Sequence, residues 1–446
     1  MIPYAVLMMK FLWKNENLEV RAMDPLTDGV SFRLSSERKD VSVYPPEKIE
    51  FCFLDPAEKT YGKYLLTEIL IERKTDDETE KLNAVFYELH TTDPVFLKKY
   101  LRLMAQYENY IRLKTQCDDL EVMEKMTETR MSRTYPQTVA EWHENMRKTS
   151  RQTGGNWDPA PCEIAVCLDG PSMWKSYLEM GLPEFLEYYW KENGLAGHPV
   201  TKRKVTHLYV GSGCCHFLFP DEELEKIYDR AVSDGLEPVT VFSVMPEHLV
   251  RIFSERIGRV LAWYRKAGKI PEIVVSDTGT AELIGSLADK SAPAARPVLR
   301  AGTMLCRRRK DPRWEKFQEP SGSSADSEII RNYYRERFGI TLWSYEACGY
   351  PIETAPGSAL HLPLYQMNTS GYCTMYALCR NGDRENQEQN LSCPHYCEDR
   401  FVFYPENMKI IGRWNGIYGC SRTELDNAGL LNEMLENGVS RLVVRA

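Results

Sequence analysis

Four of the chain's 13 cysteines crowd into residues 371–400, in "GYCTMYALCRNGDRENQEQNLSCPHYCEDR". Cys373, Cys379, Cys393 and Cys397 follow a Cys-x5-Cys-x13-Cys-x3-Cys pattern. Thiolates are soft ligands, and four of them complete either a 4Fe-4S cluster or a zinc site. The stretch between the pairs, "RNGDRENQEQNLS", is too polar to build a core, so a metal would give it something to fold around. Structural zinc favours short paired spacings such as Cys-x2-Cys, and the irregular x5, x13 and x3 gaps tilt the reading towards iron and sulfur. Zinc stays open as the alternative cofactor, holding together a binding scaffold without catalysis. His395, inside "SCPHYC", is one more possible ligand.

A second thiol pair stands in "HLYVGSGCCHFLFP", where Cys214 and Cys215 follow a strand-like run and a glycine turn. Adjacent cysteines do not easily share one metal ion. One of them is therefore an alternative fourth ligand in place of Cys373 or Cys379, or a thiol that faces substrate. Cys52 in "FCFLD" and Cys167 in "AVCLD" sit inside apolar runs and read as small core residues. His216 and His395, beside the thiols, are placed to tune them by hydrogen bonding.

Asp277 closes "EIVVSD" and Arg300 lies in "VLRAG", near strand ends where barrel enzymes keep reactive groups, so both are candidate catalytic residues. Asp277 has helix capping as its other reading. Arg307, Arg308, Arg309 and Arg313 in "CRRRKDPR" form a candidate anion-binding lip, since guanidinium groups fork onto carboxylate and phosphate oxygens. The sequence carries neither a recognisable Ser-His-Asp arrangement nor a His-Glu-x-x-His helix, which weighs against a peptidase.

Positioning these groups falls to two kinds of architecture. From residue 159 the pattern alternates strand and helix. The strand candidates are residues 163–168, 206–211, 238–244, 271–277, 296–302, 340–347, 360–367 and 440–446. Eight such strands predict an α/β fold, a TIM-like (β/α)8 barrel over 159–446 with its chemistry at the C-terminal strand ends and the Cys-rich insertion 371–400 at one of them. "MKIIGRWNGIYG" predicts an extra strand or hairpin. Before the barrel, residues 1–117 hold short alternating runs separated by turns such as "DPLTDG", then a helix opening on Asp93 and Pro94. They predict a small antiparallel β-barrel with a C-terminal helix. Residues 118–158 read as a helical and loop linker.

Composition bounds the partners. A chain 43% apolar and 27% charged is globular in character, and a net charge of -8 disfavours non-specific nucleic-acid binding by the whole chain. The N-terminal apolar run is short, lacks a basic flank, and nowhere does an apolar run approach the roughly 20 residues that span a bilayer. A cytoplasmic protein without membrane contact is expected, and an odd number of cysteines in a reducing compartment favours free thiols or metal ligands over disulfides.

The stretches "THLYVGSGCC", "RPVLRAGTMLCRRRKDPR" and "MNTSGYCTMYALC" with "SCPHYC" together resemble the collagenase-like peptidase family of the U series, which includes the UbiU and UbiV iron-sulfur proteins. The resemblance spans about residues 160–446. It implies a TIM-like barrel with a 4Fe-4S cluster on Cys379, Cys393 and Cys397, the fourth ligand being Cys373 or one of Cys214 and Cys215. It also implies oxygen-independent hydroxylation, or a related redox modification, of a small molecule or RNA base. A heterodimer partner of the same family is a further implication. The family's Arg-rich stretch after the early cysteine is replaced here by "HFLFP". Residues 1–117 more faintly resemble PilZ domains, but Leu26 stands at the motif's serine position and Arg21 lacks its paired arginine, which argues against cyclic di-GMP.

Overall fold

The computed structural model describes residues 2, 6–55, 60–74, 84–114, 121, 124, 130, 132–149, 159–290, 296–308, 323–347, 352–369, 371–382 and 392–445. It divides into two compact units, Met1–Met131 and Ser132–Ala446.

The first unit contains strands β1 (Leu7–Leu12), β2 (Asn17–Val20), β3 (Ala22–Pro25), β4 (Gly29–Ser35), β5 (Lys48–Asp55), β6 (Thr60–Leu66), β7 (Leu70–Arg73) and β8 (Ala84–His90), then helix α1 (Pro94–Lys114). Two antiparallel sheets form, in the orders β2-β1-β5-β6 and β3-β4-β8-β7. Only Arg21 separates β2 from β3, so the chain changes sheet there. Alternation decides the core face: in β8, Val85, Tyr87 and Leu89 turn inward and meet Phe11, Phe32 and Phe51. Helix α1 is capped as its sequence predicts, Asp93 Oδ1 accepting from the Val95 and Phe96 amides at 2.9 and 3.0 Å. Phe96 and Tyr100 stack on one another and join the same core.

The second unit is a closed barrel. Its eight parallel strands are β9 (Glu163–Leu168), β10 (Val205–Gly211), β11 (Glu237–Val241), β12 (Glu272–Val275), β13 (Val298–Ala301), β14 (Ile340–Glu346), β15 (Ser358–Thr369) and β19 (Val439–Arg445), with β19 pairing back onto β9. Every strand expected from the sequence is present. Helices follow the strands: α3 (Pro171–Glu179) and α4 (Leu182–Glu192) after β9, α5 (Leu224–Ser233), α6 (Val250–Lys266), α7 (Thr278–Lys290) and α8 (Glu328–Phe338) after β10 to β13. Outward residues such as Ile164, Val166 and Leu168 pack on these helices, while Ala165, Cys167, Tyr209, Val274 and Val443 fill the interior. Cys167 is thus a core residue, as expected.

Strand β15 runs past the barrel rim. Its first half pairs with β14 and β19. Its second half, Leu364–Thr369, pairs antiparallel with β18 (Gly416–Cys420), which forms the expected hairpin with β17 (Ile410–Arg413), and β17 pairs with β16 (Val402–Phe403). Between β15 and β16 lies α9 (Thr374–Asn381); α10 (Thr423–Asp426) and α11 (Ala428–Glu436) lead into β19. Helix α2 (Val139–Thr149), expected within a linker, packs on this rim sheet instead. Its Trp142 is buried with Leu364, Trp414 and Tyr418, and donates from Nε1 to the Ile410 carbonyl at 3.3 Å. Among the described residues no helix is long and apolar enough to cross a membrane.

Candidate functional site: a thiol cluster at the barrel mouth

The C-terminal end of β10 begins the site. Gly211 has φ 103°, and a side chain there would collide with the Val241 carbonyl, so glycine is needed to turn the chain at the rim. The turn delivers Cys214 and Cys215 to the mouth and leads into a short 3-10 turn, His216–Leu218. Arg256 holds this loop from below, donating from Nη1 to the His216 carbonyl at 2.9 Å and from Nε to Asp221 at 3.0 Å.

Across the mouth, Cys373 is the N-cap of α9, its sulfur accepting from the Tyr376 amide at 3.4 Å. Cys393 accepts from the His395 amide at 3.4 Å, and Cys397 sits in the 3-10 turn Tyr396–Glu398. These loops bring Cys215, Cys373, Cys393 and Cys397 together. Burial pushes all four thiols up, Cys397 to about 12; the other three thiols add to the effect on Cys215, and Cys373 and Cys393 add to that on Cys397. Backbone amides act in the opposite sense, that of Phe217 on Cys215 and those of Met375 and Tyr376 on Cys373. Among the described residues, no three cysteine sulfurs lie within 4.8 Å of one another. A zinc tetrahedron built from Zn–S bonds of about 2.3 Å needs sulfurs at roughly 3.8 Å. The four thiols therefore form a ring that is near enough for mutual electrostatic influence but is not drawn up into a zinc tetrahedron.

Cys379, expected among the ligands, lies exposed on α9 and acts electrostatically on Cys373. The adjacent cysteines divide: Cys215 joins the ring, while Cys214 lies 2.7 Å from the Tyr418 hydroxyl and 3.7 Å from Gln366 Nε2. His395 is a staple. Its Nε2 lies 3.0 Å from the Phe217 carbonyl, tying the Cys393 loop to the Cys215 loop. The His216 ring, buried and beside the Arg256 cation, is held neutral with its pKa lowered to about 4.

A cleft of about 540 Å³ opens next to the ring, lined in part by Cys214, Cys215, Cys373, His248, Arg307 and Tyr372. Below it, on the barrel axis, a polar chamber of about 40 Å³ is walled by Cys214, Tyr418, Gln366, Ser276 and the Asp169–Arg445 ion pair at 2.7 Å. Such a volume holds a few waters. Cys214 lines both spaces.

The remaining candidates separate by position. Arg307 is exposed at the cleft, as an anion-binding residue must be. Arg308 is committed to Asp326 through bonds of 2.8 and 2.9 Å with its side chain 4% exposed, and Arg309 and Arg313 lie outside the described residues. Asp277 caps α7, accepting from the Thr280 amide at 2.7 Å and hydroxyl at 2.8 Å, and also takes the Met245 amide at 2.9 Å, which pins a loop of the cleft wall. Arg300 points the other way. It is 1% exposed at the base of the barrel, bonded to Glu272 at 2.8 Å and to the Trp343 and Gly357 carbonyls, so it is an internal ion-pair residue and not a group at the mouth. A further close group of ligand-type side chains, Glu72, Glu88 and His90, belongs to the first unit, where Lys74 bridges the two carboxylates at 2.8 and 3.2 Å.

No family model and no curated protein matches this chain. Among solved structures, chloroplast FtsY from Physcomitrella patens aligns over 55% of this chain and 67% of its own, at 6% identity and a TM-score of 0.16, a likeness too low to bear on fold or function.

Proposed function

We propose that the barrel mouth holds a 4Fe-4S cluster on Cys215, Cys373, Cys393 and Cys397, and that the neighbouring cleft takes a small molecule for oxygen-independent hydroxylation or a related redox modification. The observation that carries this reading is the ring itself: four thiols from two distant segments brought to one barrel mouth, each near backbone N–H groups. Amide bonds to sulfur are one of the levers by which a protein tunes such a cluster. When bound, the cluster supplies one-electron transfer at the edge of the cleft. The chain's own residues do the rest. Arg307 offers a cation to an anionic group of the substrate, Asp277 fixes the wall through Met245, and α2 with Trp142 keeps water from the covered side of the ring. The resemblance to the UbiU and UbiV family supports Cys393 and Cys397 in this set. It implies Cys379 as a third ligand with one of Cys373, Cys214 and Cys215 as the fourth, and the ring departs from that pattern by leaving out Cys379 and using both Cys373 and Cys215.

The test is iron, sulfide and zinc content with a visible spectrum, on protein purified without oxygen, for wild type, Cys215→Ala and Cys379→Ala. About four irons with equal sulfide are expected in wild type and in Cys379→Ala, and are lost in Cys215→Ala. One tight zinc without sulfide would make the thiols a structural staple. Loss of iron in Cys379→Ala with retention in Cys215→Ala would overturn the ligand set.

A further inference from the structure

We propose that the cleft beside the thiols takes a flat apolar compound carrying a single carboxylate, which Arg307 holds; this names the substrate class of the cleft and rests on the cleft being the substrate's site. None of the residues that line the cleft is acidic, and its basic side chains are Arg307 and His248. Arg307 is exposed there, and among the described residues no carboxylate pairs with it. Its position is nevertheless fixed. On one side the Leu305 and Cys306 amides close a turn on the Gly302 carbonyl at 3.0 and 3.2 Å, with Cys306 4% exposed. On the other side Arg308 is turned inward onto Asp326 at 2.8 and 2.9 Å. The backbone is anchored before and after Arg307, and its guanidinium is left for something that enters the cleft.

The other polar groups of the cleft are already engaged with one another. Thr369 donates from Oγ1 to Asn415, whose carbonyl and Oδ1 lie at 3.3 and 3.2 Å, and Ser243 donates to the Val244 carbonyl at 3.3 Å. What remains is apolar: Phe217, Val244, Pro246, Met304 and Tyr372. Val244 and Tyr372 are 44% and 48% exposed, so a flat hydrocarbon body laid against them removes apolar surface from water. The walls do not have to move to receive it, since the Met245 amide is held by Asp277 at 2.9 Å and the Phe217 carbonyl by His395 at 3.0 Å. A guanidinium fits a carboxylate through two parallel N–H···O bonds. A polyphosphate or a nucleic-acid strand brings several charges and needs a row of basic groups, which one arginine and one histidine do not supply. A neutral compound would leave Arg307 without a partner.

Indole-3-carboxylate is the probe, with indole-3-carboxamide as its neutral counterpart of the same shape. Each is titrated calorimetrically at pH 7 and low salt into the full chain prepared without oxygen. The acid is expected to bind with a dissociation constant on the order of 0.1 to 1 mM, and the amide about tenfold more weakly. Arg307→Gln is expected to weaken the acid by about fivefold to tenfold and leave the amide unchanged, and Arg307→Lys to fall between, since it keeps the charge without the fork. Val244→Asp, which sets a like charge on the exposed wall, is expected to weaken the acid more than the amide. Thermal unfolding at the wild-type temperature checks that these surface variants fold. No saturation by the acid below about 10 mM, an amide or inorganic phosphate that binds as tightly as the acid, or a folded Arg307→Gln that binds the acid as wild type does would each overturn the inference. Iron content on the same samples tests the cluster separately. Low iron with Arg307-dependent binding would remove the cluster and keep this inference; full iron with any of the overturning results would remove this inference and keep the cluster.

Discussion

Glu272 distinguishes a structural plug from a reactive site at the base of the barrel. Its carboxylate accepts from Arg300 Nε at 2.8 Å and from Arg441 Nη1 and Nη2 at 2.6 and 3.1 Å. Burial alone would raise this carboxyl, but the Arg300 and Arg441 cations outweigh it and hold the pKa at about 2, below the ordinary 4.5. At about 1.4 kcal/mol per pH unit, the gap corresponds to about 3 kcal/mol of folding stability. A depressed folded-state pKa stabilises fully above about 4.5, and the contribution is lost as pH falls through about 2. Glu272→Gln keeps the shape and removes the charge. Its cost is expected at about 3 kcal/mol at pH 7, nearly unchanged at pH 5, and about half as large at pH 3.3. Urea unfolding of the full chain, followed by tryptophan fluorescence and analysed for the barrel transition, measures it. A cost under about 0.5 kcal/mol at pH 7, or one as large at pH 3.3 as at pH 7, would refute the reasoning. Either result would reopen a chemical role for Arg300.

Asp277→Ala removes a cap and the Met245 bond together, and is expected to cost about 1 to 2 kcal/mol in thermal unfolding with iron content unchanged. A variant as stable as wild type would return Asp277 to the list of reactive groups. Trp142→Ala empties a buried site between α2 and the rim sheet, with an expected cost of about 3 to 5 kcal/mol and faster release of iron to a chelator. Iron release at the wild-type rate would show that α2 does not cover the cluster.

The barrel was legible because each strand is an apolar run with its own flanking turn, and eight of them in alternation with helices admit few arrangements. The site was legible in part. Cys373 and Cys379 look equivalent along the sequence, but "TMYALCRN" is a helix capped by Cys373 and stopped at Gly382. Six residues at about 100° each carry Cys379 roughly 120° around that helix, away from its cap. The helical spacing was a signal that could have separated them. Arg300 misled for another reason. Strand alternation does predict that it points into the barrel, but so long a side chain can reach up or down, and the carboxylate that draws it to the base, Glu272, is contributed by the neighbouring strand.

Cys215 could be read only as an alternative because what selects it is the closure of the barrel. Strand β10 is separated from β15 by four other strands along the chain, and only on closing do the ends of both face one mouth. A metal that had to gather thiols so far apart in sequence would spend much of its binding free energy on closing that loop. Here the strand pairing of β15 with β14 and β19, the Trp142 contacts and the His395 bond to the Phe217 carbonyl already hold the two segments in place. The thiol ring is thus positioned by the fold, unlike a zinc finger, in which metal binding and folding are one event. The same rigidity is what separates Cys214 from Cys215. With Cys215 beside the other three thiols and Tyr418 fixed on the rim sheet, the neighbouring thiol lies 2.7 Å from the Tyr418 hydroxyl, at the junction of the cleft and the axial chamber.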